Sequence, residues 1–151
     1  MAGPSVELLQ RVPLFAELKP RELEQLSGSF TERTFDEGET PASEGESGYP
    51  PFFVIESGEA VVTVHGEERG RLGPGDYFGD VAIIDRRERG ATIQAKTPLK
   101  CYSLAFWDFR PLVERDARIA WPLLQAMATR LRAAGSVLAP PDPPGRGPGR
   151  R

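Results

Sequence analysis

Phe78-Gly79-Asp80-Val81-Ala82-Ile83-Ile84-Asp85-Arg86-Arg87-Glu88-Arg89-Gly90-Ala91-Thr92-Ile93 is the stretch on which the reading of this chain turns. A glycine opens a short apolar helical turn, an acid follows at once, and an arginine stands ten residues beyond the glycine, before a β-branched strand. Gly79 lacks a Cβ, so a ligand can approach its backbone and the chain can adopt dihedrals that other residues resist. The free N–H groups of the turn that follows can point at an anion. Arg89 adds a planar, permanently charged fork suited to two phosphate oxygens. Asp80 only accepts hydrogen bonds, which suits a sugar hydroxyl better than a phosphate. Phosphate and ribose in one compact site point to a nucleotide.

These residues resemble the phosphate-binding cassette of the cyclic-nucleotide-binding domain family, which includes catabolite-activator-type regulators, regulatory subunits of cyclic-AMP-dependent kinase and cyclic-nucleotide-gated channels. Phe78, Gly79, Val81, Ala82, Ile83, Ile84, Arg89, Gly90 and Ala91 fit the family pattern without a gap, and Asp80 stands where the family usually has Glu. The likeness extends to Phe35–Glu39, Glu44–Gly48, Phe52–Glu59 and Gly73–Gly79, and to helical segments at Leu9–Leu26 and Trp107–Ala134. It implies an α+β fold: a small antiparallel β-barrel of jelly-roll type, flanked by N-terminal and C-terminal helices.

Composition agrees with one domain. The 151 residues are enough for a sizeable core. Fifteen prolines and sixteen glycines suit short strands joined by tight turns. A net charge of −3, with acids and bases interspersed, gives no basic surface for nucleic acid or membrane. The lone Cys101 excludes an internal disulfide and fits a reducing, cytoplasmic setting. No signal peptide and no membrane span are expected.

Along the chain, Val6-Glu7-Leu8-Leu9 and Val12 have helical spacing that Pro13 ends, and Pro20 opens a second helix over Arg21–Ser27. Phe52–Glu56, Ala60–His65 and Ala91–Lys96 read as strands between Gly, Pro and Ser clusters. Helical spacing returns at Phe109, Leu112 and Val113, then at Ile119, Leu123, Leu124, Met127 and Leu131. Pro111 and Pro122 should each occupy a first turn or bring a kink. The domain is expected to span residues 6–136, with a disordered Pro/Gly-rich tail at 137–151.

Each candidate also has a simpler explanation. Arg89 can be a surface arginine paired with Glu88, Asp85 or Asp80, and Asp80 a helix-terminal acid stabilised by the dipole. Val62 resembles a position lining the base pocket, yet an inward core valine explains it equally. Arg86 and Arg87 read as a solvated loop, Arg69 and Arg71 as surface residues on the preceding strand. His65, the only histidine, reads as a surface residue at a strand end, so no convergent metal site is expected. Cys101 reads as a small buried hydrophobe.

The resemblance implies a regulatory module rather than an enzyme, with cyclic AMP or cyclic GMP as its ligand and no metal. Gly90 lacks the hydroxyl that supports guanine in the family, which favours cyclic AMP. Phosphate would be held by Arg89 and the N–H groups of Gly79–Ala82 and Gly90–Ala91, ribose by Asp80. The last helix would move over the base as a lid, capped by Trp121 or Leu124 unless these serve the core. Output would pass to a protein partner or a further effector domain, or through a homodimer along that helix. The sequence also leaves room for a scaffold that binds no nucleotide, and for the sensor half of a transcription regulator. Two departures stand out: after the turn glycine Gly48, where the family has an acid, the chain runs Tyr49-Pro50-Pro51 with one extra residue, and a Pro/Gly-rich stretch follows the long helix where activator-type members carry a helix-turn-helix.

Overall fold

The computed structural model describes residues 3–85 and 87–133. The expected tail at 137–151 and the residue Arg86 lie outside the described residues.

Two short helices, α1 (Val6–Arg11) and α2 (Pro20–Ser27), come first, joined by a 3₁₀ turn at Pro13–Phe15. Ser5 caps α1 by accepting the Leu8 N–H at 3.1 Å. Pro13 and Pro20 each begin a helical element, where a missing N–H costs nothing. Seven strands follow: β1 (Thr31–Phe35), β2 (Phe52–Ser57), β3 (Ala60–Val64), β4 (Glu67–Leu72), β5 (Tyr77–Phe78), β6 (Thr92–Ala95) and β7 (Leu99–Leu104). Helix α3 (Asp80–Asp85) interrupts them, and α4 (Phe106–Arg115) and α5 (Ala117–Ala133) close the described chain.

The strands pair antiparallel in two sheets, β1-β7-β2-β5 and β4-β3-β6. The expected α+β class and flanking helices are present, but the sheets do not close into a barrel. Strand β5 is only two residues long because Gly79 turns the chain straight into α3. Elsewhere the sheet edge is extended by a single bridge between Ala42 and Ile93.

The period-2 alternation of strands sorts side chains between two cores. Phe52 and Val54 of β2, with Tyr102 and Leu104 of β7, face a helical cluster that holds Leu9, Phe15, Leu23, Phe109, Ile119 and Leu123. Phe53 and Ile55, with Leu99 and Cys101, face the space between the sheets together with Phe78, Ile93 and Ala60. Central strands buried on both faces read as continuous apolar runs, as Phe52-Phe53-Val54-Ile55 does. Burial pushes the Cys101 thiol up to about 12, which leaves it unreactive.

The outer strand β4, Glu67-Glu68-Arg69-Gly70-Arg71-Leu72, is largely exposed and charged. Its ion pairs run from Arg69 to Glu67 at 3.4 Å and from Arg71 to Glu68 at 3.1 Å. The register against β3 shifts between Val62 and Thr63, marking a bulge. His65 and Gly66 join the two strands with φ of 52° and 80°, the left-handed pair a tight hairpin needs. The His65 side chain stands in solvent, 3.1 Å from Glu44.

Pro111 and Pro122 each sit at the sixth position of their helix, α4 and α5, not in a first turn. The stripe expected along α5 divides. Ile119 and Leu123 are buried and Met127 packs against the same core, whereas Leu124 and Leu131 are exposed.

Helix α2 is tied to the start of α5 by a two-pronged ion pair: Arg118 donates to both Glu22 carboxylate oxygens at 3.0 and 2.9 Å. Glu22 also accepts the Lys19 N–H at 2.8 Å. The Arg118 bonds, and then that N–H, hold the Glu22 carboxyl down at about 2 against an ordinary 4.5. A lowered folded-state pKa stabilises the protein above the ordinary value, and the contribution fades as pH falls from about 4.5 toward 2. Both side chains are 38% exposed, so solvent screens the pair and the effect is modest. Glu22→Gln is expected to flatten the fall in melting temperature across that window. Parallel acid titrations of Tm for the two proteins check it; superimposable profiles would refute the assignment.

Candidate functional site

The site begins at the β5–α3 junction. Gly79 has φ +96°, in the left-handed region, and a β carbon there would lie 2.6 Å from the Pro51 carbonyl oxygen and 3.0 Å from Arg89 Nη1. Both constraints select glycine. Asp80, the first residue of α3, is 3% exposed. Arg89 is 5% exposed, so the surface explanation for this arginine does not hold.

Arg89 is fixed by its backbone before its side chain. Its N–H donates to the Glu46 carbonyl at 2.7 Å, and its carbonyl accepts the Gly45 N–H at 2.8 Å. From that clamp the guanidinium reaches across to Pro51, whose carbonyl accepts Nη2–H at 3.1 Å. Nε lies 3.5 Å from the Glu46 carboxylate, within ion-pair range. It makes no hydrogen bond there, and it is buried without a partner among the described residues. Burial pulls the guanidinium's pKa down, and the Glu46 carboxylate works against that pull. An under-satisfied buried cation is what an anion-binding site holds before its anion arrives.

A cavity of about 300 Å³ opens over these groups. The nine positions expected to bind phosphate, ribose and base all line it: Val62 from β3, Phe78 from β5, Gly79, Asp80, Val81 and Ala82 around the turn, and Arg89, Gly90 and Ala91 before β6. Ala42, Leu72 and Ile93 complete an apolar wall. The volume is at the low end of the roughly 300–1,000 Å³ typical of small-molecule pockets, which suits one compact ligand. The polar groups gather around Asp80, Arg89 and Arg130, leaving the wall for a flat apolar body.

Two lining residues escaped the sequence reading. Tyr77 of β5 lines the cavity, and burial, with the Asp80 charge next, pushes its phenol up to about 12. Arg130 reaches in from α5, donating Nη1–H to the Asp80 carboxylate at 3.3 Å with its guanidinium 5.9 Å from the Tyr77 ring centre. In the sequence Arg130 is one of several basic residues near a helix C-terminus, where the dipole alone accounts for them. Its partner is fifty residues away, and no local signal joins them. Trp121 and Leu124 are not among the residues lining the cavity; they are 60% and 56% exposed on α5. Arg69 and Arg71 stay on β4 with their glutamate partners, and Arg87 is exposed.

Among the described residues no cluster of His, Cys, Asp and Glu could hold a metal ion. No helix among them is long and apolar enough to cross a membrane.

Comparison with known proteins gives a consistent family. The family description "Cyclic nucleotide-binding domain" matches residues 32–116. A cAMP-dependent protein kinase regulatory subunit of Yarrowia lipolytica is 38% identical over 107 residues, covering 70% of this chain and 28% of that protein. A cyclic nucleotide-gated potassium channel of Mesorhizobium japonicum is 35% identical over 131 residues, 87% of this chain and 36% of that one. Among solved structures, the catabolite activator protein of Thermus thermophilus superposes with a TM-score of 0.71 at 30% identity, covering 81% of this chain and 59% of that one. The chain thus spans about a third or less of the curated relatives it matches.

Proposed function

The chain belongs to the cyclic nucleotide-binding domain family, and we propose that it is a cyclic-AMP-responsive regulatory module acting by binding rather than by catalysis. The observation that carries this reading is Arg89: a buried guanidinium with an unpartnered Nε, facing a turn where only glycine fits. In this reading the cyclic phosphate takes the Arg89 fork and the N–H groups of Gly79–Ala82 and Gly90–Ala91. The ribose hydroxyl binds Asp80, in competition with Arg130. The base lies along Val62, Leu72 and Ile93. Asp80 is one methylene shorter than the family's glutamate, so ribose is held more weakly than in a Glu version.

Helix α5 is the lid. Arg130 gives it a contact that depends on what occupies Asp80, and only such a differential contact lets a ligand shift a helix. The output passes to a protein partner or an effector domain. On α5, Trp121, Leu124 and Leu131 are exposed, and with Ala128 they fall at a three–four spacing. That seam supports pairing with a second copy. The working unit is a single domain over residues 6–136, and its lone cysteine supports a cytoplasmic setting.

One observation favours the alternative of a scaffold that binds no nucleotide: Arg130 already satisfies Asp80. Calorimetric titration with cyclic AMP and, separately, cyclic GMP decides. Saturable binding at micromolar or tighter, stronger for cyclic AMP, is expected. No heat with either, and an unchanged melting temperature, would replace the sensor reading with the scaffold.

A further inference from the structure

The Tyr49-Pro50-Pro51 segment, which carries one extra residue relative to the family pattern, supplies the Pro51 carbonyl to Arg89. Its surroundings give it more to do. Tyr49 is 64% exposed, yet its ring packs edge-on against two residues of α4: Phe106 at 5.1 Å and Trp107 at 6.3 Å between ring centres. At the other end, the Pro51 carbonyl is the acceptor that orients the Arg89 guanidinium, at 3.1 Å. The same oxygen sets the closest approach at Gly79. Immediately beyond, Phe52 stacks on Phe109 of α4, with centres 4.4 Å apart and planes 16° from parallel. The segment is therefore gripped by α4 on both sides of its two prolines. Consecutive prolines have fixed φ and form a stiff spacer, so a displacement at one end is carried to the other rather than absorbed.

We propose that Tyr49-Pro50-Pro51 is a strut through which α4 positions Arg89, making Tyr49 a positioning residue for the phosphate site and Trp107 the place where occupancy is felt. The proposal rests on the nucleotide reading of the cavity. It gives α4 a route to the ligand separate from the Arg130 contact of α5. The Pro51 carbonyl on this braced loop then orients Nη2, beside the Glu46 carboxylate that lies 3.5 Å from Nε.

The chain has two tryptophans, and Trp121 lies outside the cavity lining. Trp121→Phe therefore leaves Trp107 as the single reporter. In this parent, cyclic AMP is titrated by calorimetry and by Trp107 emission, and Tyr49→Ala and Tyr49→Phe are then added in turn. The parent is expected to bind and to change its emission. Tyr49→Ala should weaken binding about three- to tenfold, in line with the worth of an aromatic pair, and flatten the emission change. Tyr49→Phe should restore both, since the ring and not the hydroxyl makes the contact. Heat in the parent with Tyr49→Ala unchanged in affinity, or with Trp107 silent, overturns the strut alone. No heat in the parent overturns it together with the nucleotide reading.

Discussion

Replacing Arg89 with alanine is expected to weaken cyclic AMP binding about 10- to 150-fold while leaving the melting temperature nearly unchanged. The first half follows from charge-assisted hydrogen bonds, each worth about 1.5–3 kcal/mol when one partner is removed. The second half follows from how poorly the guanidinium is compensated without an anion. Its one side-chain hydrogen bond among the described residues goes to the neutral Pro51 carbonyl, its Nε has only the half-exposed Glu46 carboxylate at 3.5 Å, and burial opposes its charge. Removing it relieves that burden while leaving Pro51 without its donor, and these effects oppose each other. Arg89→Lys separates charge from shape. Lysine keeps the positive charge but cannot present two parallel donors, so an intermediate loss is expected. Calorimetry beside thermal melts reads both quantities. Affinity within twofold of the parent for Arg89→Ala would remove this residue from the site.

Gly79→Ala is expected to damage stability and binding together. A side chain at φ +96° costs about 1–2 kcal/mol, and crowding against packed atoms about 1–3 more. The nearest neighbour is a backbone carbonyl, Pro51 O at 2.6 Å, which cannot swing aside as a side-chain tip could. For a chain of this size a loss of about 2–5 kcal/mol lowers Tm by about 4–20 °C. The displaced atoms are the acceptor of Arg89 and Arg89 itself, so cyclic AMP affinity should fall as well. Gly90→Ala is the internal control: it has no positive φ and no atom within 4 Å of an added β carbon. Its stability should stay within about 0.5 kcal/mol of the parent. Calorimetric melts that rank the two glycines equally would contradict this account.

These predictions rest on residues that the sequence made visible, and the reason is local. Gly79, Asp80, Arg89 and Gly90 lie within one short stretch, so their spacing carries the geometry directly. The strands at Phe52 and Ala60 were legible for the same reason, as apolar runs bounded by glycine and serine. Arg130 was not, because its role arises only when α5 folds back over a residue fifty positions earlier. Tyr49 was seen as a departure, but its partners Phe106 and Trp107 are brought to it by tertiary folding alone. The α5 stripe misled in part. Leu124 and Leu131 have the spacing of core residues, and only packing distinguishes the inward Ile119–Leu123 row from the outward one. The expected closed barrel is not formed: closure depends on which strand edges meet, and no local signal carries that.

An open pair of sheets leaves edges, and an edge is a template on which a second chain can build. Strand β4 carries the defence at one of them. Its Glu67, Glu68, Arg69 and Arg71 put both signs of charge along the edge, and the bulge beside Val62 spoils the flat register an incoming strand would need. The charges there are expected to discourage edge-to-edge association of two copies. Neutralising them would leave the ligand site intact and make the concentrated protein prone to precipitate.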